Sequence, residues 1–170
     1  MNYRQMTVIV LALAALSCSQ PAPPQNPGIE NSDLGIKLAS VPEGLALAAN
    51  QGGKLELRPT DESTVGSIWF VAGPETESVN LVAAVQDHQA HIEGLPDGIY
   101  KGAQELQGDI GTAFYSRGRF SDEGAEVEET VLFLIHPSGT QLLEIHYRYP
   151  AGTDSAARVE QLIGVLAELE

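Results

Sequence analysis

The sequence predicts an α+β fold over residues 34–170, an antiparallel β-sheet of about six to seven strands with a C-terminal helix packed on one face. Three observations carry this expectation. From Leu34 onward, short apolar alternations are broken by Gly, Pro and Asn, the pattern of strands joined by turns. Ile110 to Phe120, Val127 to His136 and Thr140 to Tyr149 are three consecutive strand-length runs. Asp154 to Leu169 then places apolar side chains at helical spacing.

Taken in order, Leu34, Ile36 and Leu38 alternate with Gly35 and Lys37, and Pro42-Glu43-Gly44 turns the chain. Leu45 to Ala49 and Leu55 to Leu57 read as a hairpin around Asn50-Gln51-Gly52-Gly53. Ile68 to Ala72 is a strand carrying the only tryptophan, Trp69, and Val79 to Val85 is a further apolar run read as a strand. Gln86 to Gly108 reads mostly as loop, with a short strand at Ile99 to Lys101.

The last hairpin has a register that the side chains can choose. If His136 pairs with Thr140 across Pro137-Ser138-Gly139, Val131 faces Ile145 and Phe133 faces Leu143, while Thr130 meets His146 and Glu128 meets Arg148. Apolar then pairs with apolar, with Gly139 in the left-handed position of the turn. On the preceding strand Phe114 and Phe120 share one face and Tyr115, Arg117 and Arg119 the other, so that Arg117, Arg119, Glu128, Glu144 and Arg148 are expected in one exposed charge row. In the closing helix, capped by Thr153 or Asp154, the buried stripe is expected to be Ala156, Val159, Leu162, Ile163, Leu166 and Leu169. Gly164 on that helix would allow close approach to the strands.

Ahead of this domain, residues 1–17 have a polar start with Arg4, an apolar run from Met6 to Leu16 and small residues before Cys18. That is the layout of a secretory signal, and the run is too short for a membrane span of roughly twenty residues. Ala15-Leu16-Ser17-Cys18 resembles the bacterial lipobox, in which the cysteine is diacylated and becomes the mature N-terminus. The resemblance implies lipidation at Cys18, an anchor in the bacterial cell envelope, and a membrane partner reached through that lipid. Ser19 stands where aspartate signals inner-membrane retention, so in a two-membrane cell the outer membrane is the expected site. Residues 18–33 are proline-rich and read as a flexible tether, which in extended form reaches about 50 Å.

Nine basic against 23 acidic side chains give a net charge of −14, which becomes −15 when the signal takes Arg4 with it. This balance excludes nucleic acid as a partner, since phosphate neutralisation needs clustered Lys and Arg. The one cysteine excludes an intramolecular disulfide and a thiolate metal cluster.

The ending IGTAFYSRGRF, VLFLIHPSG, QLLEIHYRYP and a terminal helix resembles the PsbP-like family, as does the opening IKLASVPEG. The resemblance implies an antiparallel sheet flanked by helices and a non-catalytic binding or assembly role with an envelope protein partner. No cofactor is implied.

The chemistry-bearing residues offer one alternative. Asp87-His88-Gln89-Ala90-His91-Ile92-Glu93 sets two imidazoles and two carboxylates in seven residues, so His88, His91 and Glu93 are candidate ligands of Zn or a similar ion, in a metal-binding protein or metal-dependent hydrolase. Gln89 replaces the general-base Glu of HExxH, and neither a GxSxG elbow nor a glycine-rich phosphate loop is present. His136 and His146 lack a serine or carboxylate in triad-like sequence context.

Overall fold

The computed structural model describes residues 28–61, 65–108 and 111–170. Cys18 and the signal lie outside them. The fold begins inside the stretch read as tether, because Ile29–Asn31 (β1) pairs antiparallel with Ile36–Leu38 (β2). Ile29 is buried against the core, and buried Asn31 donates to Asn50 Oδ1 at 2.8 Å while its Oδ1 accepts from the Leu34 N–H at 2.9 Å. A short segment with polar composition is thus fixed by its side-chain amide, and the domain starts at Gly28 at the latest.

Leu45–Gln51 (β3), Lys54–Pro59 (β4) and Ser67–Ala72 (β5) form a meander whose first turn tightens to Gly52-Gly53, with Gly52 at φ +57°. The chain then makes a helix where a strand and a loop were expected, Leu81–Gly94 (α1). Asn80 caps it by accepting from the Ala83 N–H at 3.0 Å. Val79 and Ala84 join one apolar cluster in the manner of a hydrophobic staple. Leu81, Ala84, His88 and Ile92 are its buried residues, and that 3-4-4 spacing is helical.

Ile99–Gly108 (β6), Gly111–Asp122 (β7), Ala125–Ile135 (β8) and Leu142–Pro150 (β9) follow, then Ser155–Ala167 (α2). β6 runs well past the short strand expected there; as an edge strand rich in exposed Gln and Glu, it carries little apolar alternation. The sheet has seven antiparallel strands in the order β3-β4-β5-β9-β8-β7-β6, with β1 and β2 a separate pair.

The main core lies between one sheet face, α2 and the β1–β2 pair. It includes Leu38, Leu57, Ile68, Leu132, Leu143, Ile145, Tyr147 and Leu162. The opposite face holds a smaller cluster beneath α1, formed by Leu81, Ala84, Val131 and Phe133.

This two-sided burial corrects the hairpin register. Leu132 pairs with Ile145, Phe133 with Glu144 and Ile135 with Leu142, one residue away from the expected arrangement. Gly139 does take the left-handed conformation, φ +82°, but in a four-residue loop closed by His136 N–H to Gln141 O at 2.9 Å. The expectation assumed one buried face. β8 is buried on both from Glu128 to Leu134, so Val131 and Phe133 are as well placed under α1 as against α2. The shift also splits the expected charge row: Glu128 pairs with Arg119 on the α2 side, and Arg148 pairs with Glu129 on the α1 side.

α2 is capped by Asp154, which accepts from the Ala156 and Ala157 N–H groups. Its buried stripe is offset from the expected one, since Val165 is fully buried and Ile163 is 39 % exposed. Gly164 touches no strand; a Cβ there would stand 3.8 Å from Pro42 Cβ, an ordinary contact. A Cβ on Gly118 of β7 would instead lie 2.6 Å from both Cγ atoms of buried Ile92, so α1 rests directly on that strand's backbone. Opposite effects are expected in urea denaturation: Gly164→Ala should gain about 0.5–1 kcal/mol, and Gly118→Ala should lose about 1–3 kcal/mol by overpacking.

Candidate functional site

The site grows from one residue, Glu129. Its place on β8 points its carboxylate to the α1 side, where its side chain is 3 % exposed. An isolated carboxylate there would be untenable. Arg148, directly across on β9, donates from Nε at 2.9 Å and from Nη2 at 2.8 Å, both to Oε2. The guanidinium is held in turn by the rings of Trp69 and Phe120, 5.6 and 5.1 Å from their centroids, and by Asp122 at 3.4 Å.

Two imidazoles flank the other oxygen. His88 Nε2, descending from α1, stands 3.6 Å from Glu129 Oε1, and His146 Nδ1, from β9, stands 3.7 Å from the same atom. Both nitrogens are buried and lack a hydrogen-bond partner. Their ring partners fix which nitrogen carries a proton in the neutral form. Glu144 Oε2 can only accept, so His146 Nε2 donates to it at 2.9 Å. Ser116 Oγ donates to Tyr100 OH at 3.2 Å, so it accepts from His88 Nδ1 at 2.8 Å. His146 is also stacked on Trp69, with ring centroids 4.9 Å apart and 10° between planes.

Burial pushes the Glu129 carboxyl upward, but His146, His88 and Arg148 together overcome that and hold it far below the usual carboxylate range. For His146 burial acts downward, and the neighbouring Glu129 and Glu144 outweigh it, lifting the imidazole above its ordinary value.

Glu129, Arg148, His88, His146, Glu144 and Trp69 line a cavity of about 330 Å³ on the flank of α1, which also receives Asp87 and His91 from the helix and Leu142 and Phe133 from the sheet. A larger cleft of about 1020 Å³ lies between the β1–β2 pair and β3. Its side-chain charges are the carboxylates of Glu30, Glu43 and Glu168, with no imidazole or opposing cation, so the convergent chemistry is in the smaller cavity.

The residues expected to ligate a metal are only partly brought together, since His88 and His91 line the cavity and Glu93 does not. His88 points into the sheet, His91 and Glu93 are exposed, and Glu93 accepts from Gln89 at 2.8 Å. Among the described residues no group of three or more His, Cys, Asp or Glu side chains is disposed to hold an ion. His136 is a structural tie, its Nε2 donating to Leu34 O at 2.8 Å and its Nδ1 accepting from the Ser138 N–H at 3.0 Å. Sequence reasoning missed Glu129, Ser116 and the pairing of His88 with His146. The signal available was the 3-4-4 spacing through His88, which sets an imidazole in the middle of a buried helix face.

Stability should peak between the unperturbed carboxylate value of 4.5 and the raised His146 pKa. Glu129 is depressed, so its contribution is complete above pH 4.5 and falls away in acid. His146 is raised above 6.5, so its contribution is complete below that value and is lost as pH climbs through the folded pKa. Urea denaturation across pH 4 to 9 should therefore show a decline on the alkaline side that is reduced in His146→Gln; an unchanged decline in that variant would assign it to another group.

No family model matches this chain, and no curated relative does. Solved structures do resemble it. The Ran-binding protein Mog1p of Saccharomyces cerevisiae has a TM-score of 0.59 at 13 % identity, over 85 % of this chain and 94 % of that one. The solution structure of cyanobacterial PsbP, CyanoP, from Synechocystis has a TM-score of 0.54 at 10 % identity, over 91 % and 96 %. LpqN of Mycobacterium tuberculosis, a protein involved in cell envelope biogenesis, has a TM-score of 0.50 at 14 % identity, over 79 % and 81 %. At these identities the likeness is one of architecture: the chain has an α+β fold of the PsbP and Mog1 kind.

Proposed function

We propose that this chain is a lipid-anchored protein of the bacterial envelope whose domain is a non-enzymatic binding module, with the cavity beside α1 as its recognition site. The observation that carries the binding reading is the burial of Ser116. Ser116, His88 and Glu129 form a line that superficially matches a Ser-His-Glu triad. Yet Ser116 is 0 % exposed, spends its proton on Tyr100, and meets Nδ1 of the imidazole rather than the nitrogen a triad uses. No substrate carbonyl reaches it. The polar cluster forms the floor of a cavity, and the mouth of that cavity is where Glu144, Arg148 and Trp69 remain partly exposed.

Two neighbours support the reading by what their own descriptions say, one binding Ran and one serving envelope biogenesis. Cys18, at the end of the apolar run, supports the anchor. With the domain beginning at Gly28, the tether from Cys18 shortens to about 30 Å when extended.

Metabolic labelling with palmitate should mark the protein, and Cys18→Ser should abolish the label and release the chain from membranes. Label retained by Cys18→Ser would sink the anchor. Affinity capture from detergent-solubilised membranes should recover a reproducible companion, and its absence would count against the binding role.

A further inference from the structure

We propose that the cavity beside α1 is the seat of an aliphatic cation, the ammonium or guanidinium of a lysine or arginine side chain presented by a basic partner protein. This inference rests on the binding-module reading and names the chemistry of that site. Asp87, Glu129 and Glu144 line the cavity, and among the described residues Arg148 is the only Lys or Arg that does. Arg148 is committed to Glu129 Oε2 and Asp122, so a surplus of negative charge faces the opening. The available polar atoms accept. His88, its side chain 5 % exposed, turns a bare and unpartnered Nε2 towards Glu129 Oε1, and neutral His146 does the same with Nδ1. Such a set favours a group that brings donors and positive charge.

The walls fit the rest of the side chain. Leu142, Phe133 and Ala84 give the methylene stem an apolar lining, which a bare inorganic cation does not need. Among the described residues no three His, Asp and Glu side chains are disposed around a common point as metal ligands are. At longer range a net charge of −14 draws a basic surface towards the domain and repels an acidic one.

Entry of a cation competes with protonation of His146. That imidazole faces Glu129 from β8, Glu144 and Arg148 on its own strand, Trp69 from β5, and His88, Asp87 and His91 from α1. The imidazolium fills the same field that the ligand would fill, so the bound cation expels the proton. Affinity then rises with pH across the His146 titration.

The only tryptophan of the chain, Trp69, lines the cavity and reports on it by fluorescence. The full chain in detergent is titrated with N-acetyl-lysinamide, N-acetyl-argininamide, the uncharged N-acetyl-norleucinamide and zinc chloride. Saturable emission changes are expected for a cationic amide, with a dissociation constant on the order of millimolar. The norleucine compound should give none. The constant should improve from pH 5.5 to pH 8 and weaken about threefold in Asp87→Asn, an exposed position whose change spares the buried cluster. Failure of both cationic amides to saturate, an equal response to norleucinamide, or saturation by zinc alone overturns the proposal. If the amides fail while affinity capture still yields a companion, the cation inference falls and the binding module stands; if capture fails as well, both fall.

Discussion

A strand buried on both faces can carry a charge only if the surrounding strands and helices bring that charge its partners, and β8 imposes this condition on the whole molecule. From Glu128 to Leu134 every side chain of β8 is buried, with alternate residues directed to α2 and to α1. Glu129 falls on the α1 side. Its ionisation is sustained by Arg148 on the next strand and by His146, two residues earlier on that strand, in its protonated form, while His88 on the helix above closes the group. Three elements distant in sequence must therefore arrive together. Removing Arg148 alone would leave a buried carboxylate without its main donor, a defect of about 3–5 kcal/mol, whereas replacing the whole group by apolar residues need not destabilise the fold at all. The cluster is thus poor evidence for stability and good evidence for a specific arrangement.

That arrangement depends on how closely α1 lies on the sheet. Gly118 lets Ile92 sit on the backbone of β7, which lowers the helix far enough for His88 to reach Ser116. On the same strand, Phe114 joins the apolar cluster under the helix and Phe120 supports Arg148. β7 therefore supplies, through alternate residues, a seat for the helix, a hydrogen-bond partner for its histidine and an aromatic shelf for the arginine that neutralises Glu129. One face of one strand connects packing to electrostatics.

The strand content, the closing helix and the overall fold class were legible because they rest on alternation and on helical spacing, which survive without knowledge of partners. α1 was not, since its apolar face is interrupted by His88 and diluted by Gln86, Asp87 and Gln89, and a run from Val79 to Val85 looks equally like a strand. The β8–β9 register failed for a related reason. Matching apolar with apolar is decisive only when one face meets water, and here Phe133 opposite Glu144 is no conflict because Glu144 lies at the cavity edge beside His146. His88 was identified from its neighbours in sequence, His91 and Glu93, whereas its working partners are Ser116 and Glu129. Those contacts are set by tertiary placement of a helix that the local sequence pattern does not reveal.

The same two-sidedness makes the two faces of the sheet unequal. Gly28 opens β1, and β1 packs with β2 and α2 on the main-core side of the sheet, where Ala39 N–H bonds to Glu168 O at 2.7 Å. The described chain therefore begins in the layer opposite α1. α2 and the β1–β2 pair cover the main core, while α1 packs over β6, β7 and β8 and leaves β5 and β9 open beside it. Trp69, His146 and Arg148 stand on those open strands, so what the fold leaves uncovered is also where its unspent polar chemistry lies.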